Sequence, residues 1–170
     1  MKPLFLAIAL AGVVPGALAA QDLLVAFDGG IGVDPASGVT PTGGAALNVV
    51  RGVSPGMFPW RISRLHANVH VDGHIEVDGR GLLLTGGNPI GTNGGQSVFA
   101  TLFCGPAATA TAHSSSPAGV ALEPNGDFRI DDVLSPPPST SCTDPVLLIL
   151  SAANGHWFAA GIPKNDADER

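Results

Sequence analysis

The sequence predicts an all-β protein: a single antiparallel β-sandwich of Ig-like or Greek-key type with about seven or eight strands, a small β-barrel being the alternative. Three observations carry this. Period-2 alternation of apolar and polar residues is clearest in WRISRLHANVHVDGHIEVDGRGLLLT, from Trp60 to Thr85. Glycine and proline, 23 and 15 residues, punctuate a chain that is 45% apolar, a balance that calls for short strands and frequent turns. Beyond the N-terminal segment, no stretch carries the 3.6-residue periodicity of an amphipathic helix.

The N-terminus reads as an export signal. Met1-Lys2 supplies a short positive region, and Leu4 to Val14 an apolar run too short for a bilayer, which needs about 20 such residues. Ala17-Leu18-Ala19 then offers a small-x-small cleavage site. Residues 1–20 are therefore expected to be a signal peptide, 21–163 the β domain and 164–170 a polar tail, and the protein is expected to be secreted or periplasmic. Loss of Lys2 moves the formal charge from −6 to −7 and leaves Lys164 as the lysine of the mature chain. Such a surface repels phosphate, so nucleic acid and anionic membrane are poor partners. No later apolar run is long enough for a membrane span.

Taken in order, Leu23 to Phe27 is a short strand ending at Asp28-Gly29-Gly30, and 28–44 has the composition of a surface loop. Leu47 to Val53 is a second strand candidate, interrupted by Pro55-Gly56 and Phe58-Pro59. The central hairpin follows, and its register can be argued. A two-residue Asp72-Gly73 loop would put apolar and charged residues on one face. A three-residue loop, Val71-Asp72-Gly73 with Gly73 left-handed, pairs His70 with His74, Val69 with Ile75 and Ala67 with Val77. The other face becomes a polar ladder of His70–His74, Asn68–Glu76 and His66–Asp78.

Gly86 to Gly95 is a glycine loop whose residues supply positive φ angles. Gln96 to Cys104 is apolar on both faces and so reads as a central strand, and 105–119 as a loop. Val120 to Leu122 and Phe128 to Ile130 are expected as a hairpin across 123–127, and the Pro136-Pro137-Pro138 run as part of an extended crossover. A last hairpin joins Val146–Leu150 to Trp157–Ile162 through Asn154-Gly155. Leu65, Ala67, Val69, Ile75, Val77, Val98, Ala100 and Leu102 are the expected core. In an oxidising compartment the two cysteines, Cys104 and Cys142, are expected to pair.

Among polar residues, His70 and His74 become cross-strand neighbours with Cβ atoms roughly 5 Å apart, while His66 lies ~13 Å up the strand. Glu76, diagonal to His70, completes a candidate Zn²⁺ or Cu²⁺ site of His70, His74 and Glu76. A solvated polar sheet face is the commoner meaning of such residues. Gly52-Val53-Ser54-Pro55-Gly56 matches G-x-S-x-G, but no helix follows to make Ser54 a nucleophile, and a tight loop is expected instead. Trp60, Trp157 and Phe158 could form an aromatic platform, although large aromatics in strands usually belong to the core. Asp131-Asp132 and Asn125-Gly126-Asp127 lack calcium-loop spacing and read as turn chemistry.

The ending DFRIDDVL, SC, PVLLI and HWFAAGIP, within 127–163, together with the central hairpin, resembles a group of uncharacterised secreted bacterial proteins. The resemblance implies export and a β fold, and brings no activity or functional residues. The expected function is therefore a non-catalytic binding, adhesive or structural module of the cell envelope, not an enzyme and without a cofactor, recognising a protein or glycan. The alternative is a small metal-binding protein using His70, His74 and Glu76.

Overall fold

The computed structural model describes residues 22–164. The expected signal peptide and all of the expected tail except Lys164 lie outside these residues. The elements are β1 (Leu23–Gly32), β2 (Ala36–Val39), β3 (Ala45–Leu47), β4 (Trp60–Arg61), β5 (Arg64–His70), β6 (His74–Arg80) and β7 (Leu83–Leu84). They continue with β8 (Ser97–Cys104), β9 (Thr111–Ser114), β10 (Val120–Ala121), β11 (Phe128–Val133), β12 (Val146–Ser151) and β13 (Trp157–Pro163). Thirteen strands replace the expected seven or eight because several are pieces of only two to four residues. One continuous sheet runs β10-β8-β12-β13-β1-β5-β6-β11 with β9 beside β8, all ladders antiparallel. It curls until its two edge strands, β10 and β11, meet at the short 123–127 connection, giving a nearly closed, barrel-like sheet around one core.

The central hairpin has the register argued from the pleat. Val69 opposes Ile75, Ala67 opposes Val77, Asn68 opposes Glu76 and His66 opposes Asp78. Gly73 takes φ 89° and donates its N–H to His70 O at 3.0 Å, while the Asp72 carboxylate accepts the His74 N–H at 2.9 Å. All eight expected core residues are buried at 0–1% exposure, so period 2 selected the inner face correctly. Outward from β5, β6 and β11 stand His66, Asn68, His70, His74, Glu76, Asp78, Arg129 and Asp131, none of them buried. On these three strands the apolar side is inside and the charged side outside, and no helix among the described residues is long and apolar enough to cross a membrane.

Besides β2, which lies inside the expected 28–44 loop and pairs with β3, four segments depart from expectation. The first strand does not stop at Asp28: Gly29, at φ 96°, forms a bulge between the Phe27–Pro163 and Gly30–Gly161 pairs, and β1 runs on to Gly32. The strand expected over 47–53 breaks instead at Arg51-Gly52, whose φ angles of 51° and 79° make a tight turn closed by reciprocal Val50–Val53 hydrogen bonds of 3.1 and 2.8 Å. The 105–119 segment contains β9, which pairs with β8 and buries His113. Because Pro136 O only accepts, the His113 Nδ1–H donates to it at 2.8 Å, and Nε2 lies within hydrogen-bond distance of the Thr111 hydroxyl at 3.1 Å.

The fourth departure explains the closure. β10 and β11 are joined by a tight turn, with Glu123 N–H to Asp127 O at 2.9 Å and Gly126 N–H to Glu123 O at 2.8 Å, yet β10 pairs with β8 and β11 with β6. Gly126 lies against the Leu82 backbone, where a Cβ would come within 2.6 Å of Leu82 N and O, and its carbonyl accepts the Leu82 N–H. That contact pulls the turn onto the 81–84 segment and splays the strands it joins.

The same corner is tied by charge. The Asp127 carboxylate accepts from Arg80 Nη1 at 3.0 Å and from the Gly81 N–H at 3.0 Å, and Asp78 holds the rest of the Arg80 guanidinium at 2.7 and 2.9 Å. The hydrogen bond from Arg80, then that from Gly81, holds the Asp127 carboxyl below the usual carboxylate range. A folded-state pKa below the unfolded one contributes stability that is complete above about pH 4 and is lost as pH falls through the folded value. Asp127→Asn should therefore be less stable than the parent at neutral pH, with the gap narrowing in more acid buffer. Urea melts across a pH series check this, and a gap independent of pH would refute it.

The Cys104–Cys142 disulfide is formed, with Cα atoms 4.9 Å apart. It fastens the crossover, which has no strand between Val133 and Val146, to the end of β8. The crossover's beginning is fastened separately, by paired Ser114–Ser135 backbone hydrogen bonds of 3.1 and 2.8 Å.

Candidate functional site

Two surfaces gather functional side chains, and both follow from how the strands are placed. The first is the outer face of β5, β6 and β11. The β6–β11 ladder sets Glu76 directly opposite Asp131 and His74 opposite Val133. His74 Nε2 lies 3.5 Å from Asp131 Oδ1 and 4.0 Å from Glu76 Oε1, and one ligand atom from each of the three residues falls within 4.8 Å of the others. The His70 ring stands beside that of His74, centroids 6.0 Å apart. His74 and Glu76 of the expected trio thus come together with Asp131, and His70 stands next to the cluster. His66 is drawn elsewhere, its Nδ1 3.7 Å from Asp28.

Asp131, which lacks calcium-loop spacing and reads as turn chemistry in the sequence, stands within β11. Its signal lay in parity: Phe128 and Ile130 face inward, so Arg129 and Asp131 face outward in the same row as the β6 polar residues.

The second surface is a trough built by 54–58, the glycine loop and the 154–156 turn. One part, about 320 Å³, is lined by Met57, Phe58, Trp60, Gln96, Asn154 and Phe158 among others. A second, about 360 Å³, is lined by Pro35, Leu47, Ser54 and Pro55, and the two share Gly56, Met57 and His156. Trp60 and Phe158 are core residues that stack with centroids 4.3 Å apart and present their edges here. Trp157 is also core, its indole N–H donating to Asn48 O at 2.9 Å. The exposed apolar groups are instead Leu47, Met57 and Phe58, at 62%, 83% and 45%. Sequence reasoning named the larger aromatics and passed over Met57 and Phe58, because an apolar pair between prolines gives no periodicity.

Gly56 is needed where it stands. A Cβ there would meet the Phe158 ring at 2.9 Å. Its N–H donates to Trp157 O at 2.9 Å and Ser54 O accepts the Trp157 N–H at 3.0 Å, so β13 pins the loop. This also places the G-x-S-x-G match: Ser54 sits in a loop that runs on to β4, without the strand–turn–helix frame of a nucleophile elbow. Asn154 Oδ1 holds the His156 N–H at 3.1 Å, which leaves its amide nitrogen as a donor at the trough wall. The trough therefore combines a flat apolar surface with a few polar groups, the usual make-up of a small-ligand site. Compared with family models, curated proteins and solved structures, the chain has no significant match.

Proposed function

We propose that the protein is a non-catalytic binding module of the cell envelope or of the secreted fraction, and that it recognises a glycan in the Met57–Phe58 trough. The observation that carries this is the pairing of exposed Met57 and Phe58 with Asn154 and His156 around one continuous depression. A sugar offers an apolar ring face to stack on Phe58 and hydroxyls for the neighbouring side chains. The rigid β frame with functional groups on its loops suits binding rather than chemistry. The formed disulfide fits an oxidising compartment.

The test is a glycan array followed by titration of the hits, read through tryptophan fluorescence, since Trp60 borders the trough and Trp157 does not line it. Phe58→Ala should weaken binding by about tenfold or more, equivalent to about 1.4 kcal/mol, without moving the thermal midpoint. Failure of every glycan to bind, or binding indifferent to Phe58→Ala, would refute the proposal.

A further inference from the structure

We propose that His74, Glu76 and Asp131 form a binding site for a divalent ion of the Cu²⁺ or Zn²⁺ type. The site shares no residue with the trough and stands independently of the glycan reading. Its frame is the three-strand ladder β5-β6-β11, whose paired backbones fix the positions from which the side chains project. On a tetrahedral ion with bonds of about 2.1 Å, ligand atoms lie about 3.4 Å apart. The His74–Asp131 separation of 3.5 Å already meets this, while the 4.0 Å from His74 to Glu76, in a cluster whose ligand atoms lie within 4.8 Å of one another, requires the Glu76 and Asp131 carboxylates to rotate inward.

The charge arrangement supplies a second reason. Glu76 and Asp131 are directly opposed across the ladder, and like charges in that position destabilise a sheet. Of the nearby guanidiniums, Arg80 is spent on Asp78 and Asp127, and Arg129 stands opposite Asp78 in the ladder, one pair removed from the two acids. A cation between the two acids converts the repulsion into bonding. An imidazole nitrogen with two carboxylates is a borderline donor set, which suits Cu²⁺ and Zn²⁺, whereas Ca²⁺ and Mg²⁺ take all-oxygen shells. The order of affinity should be Cu²⁺ above Zn²⁺.

The experiment is calorimetric titration of the mature protein, carrying no polyhistidine tag, with Cu²⁺, Zn²⁺ and Ca²⁺, joined to electron paramagnetic resonance of the Cu²⁺ form. One ion per chain should bind for Cu²⁺ and Zn²⁺ with no Ca²⁺ heat, and the copper spectrum should carry coupling to an imidazole nitrogen. His74→Ala should remove both signals. Asp131→Asn should weaken binding by roughly tenfold or more, as should Glu76→Gln, which preserves side-chain size if the alanine variant folds poorly. His66→Ala, on the same face and turned toward Asp28, should leave binding unchanged. Three results would each overturn the proposal: no saturable transition-ion binding, equal binding of Ca²⁺, or binding that survives both His74→Ala and Asp131→Asn.

Discussion

Reduction of the Cys104–Cys142 bridge lowers the stability of the folded domain by about 4 kcal/mol, the chain-entropy value for closing a loop of 38 residues. The effect is expected to be large because the crossover's later half is otherwise held by little more than the Arg51 guanidinium donating to Asp144 O at 2.9 Å and Pro138 buried near the Gly73 turn. Ser135 and Pro136 are tied to β9, but from Pro137 to Asp144 no residue joins a strand, and Gly105 N–H to Thr143 O, at 2.6 Å, depends on the same junction. Urea unfolding of the oxidised protein, the reduced protein and the Cys104→Ala/Cys142→Ala double variant measures it. A loss under about 1 kcal/mol would mean that the crossover is held by packing rather than by the bridge.

Gly32→Ala is the second large effect. β1 and β4 cross at this point, and a Cβ on Gly32 would collide with Trp60 O and lie 2.5 Å from Arg61 Cα, both backbone atoms with no rotamer to yield. Trp60 N–H donates to Val33 O at 2.8 Å and Val33 N–H to Phe158 O at 2.9 Å, so the crossing cannot widen without breaking hydrogen bonds on both sides. A cost of about 3 kcal/mol or more is expected, at the upper end of overpacking. Gly38, in an exposed strand with nothing within 4 Å of a built Cβ, is the control. There the same substitution should be neutral or slightly stabilising. Denaturant midpoints of the two variants decide, and equal midpoints would show that the crossing relaxes.

What the sequence disclosed, it disclosed through parity and turn chemistry. From Leu65 to Val77 both signals agree, and inner face, register and the left-handed Gly73 followed without further information. Composition misled where glycine served proximity rather than turning. Asp28 to Gly32 reads as a loop, yet Gly30 and Gly32 are small because Ile62, Leu65 and the Trp60 backbone press on them. Pairing of distant strands was also hidden: 123–127 is a sound turn, but which strands its arms join depends on contacts with Leu82 and with β8. The cluster of His74, Glu76 and Asp131 was half legible for the same reason. His74 and Glu76 lie on one hairpin, whereas Asp131 arrives from a third strand whose register no local pattern reveals. The trough has no sequence signature, since Met57, Asn154 and Gln96 meet only through loop packing.

The position of β1 has a consequence in time. The first strand of the described chain lies between β5 and β13, so one of its two partners is the last of the described strands. Until Trp157 to Pro163 is present, β1 and β12 each show an unpaired edge, and the sheet is split into β10-β8-β12 and β1-β5-β6-β11 halves. Neither half can enclose the core alone. Folding is therefore expected to wait for the C-terminal strand and then to proceed slowly, as long-range antiparallel pairing does. A nascent chain of this order can form the local β5–β6 hairpin early but cannot join the two halves of its sheet until residues 157–163 are made.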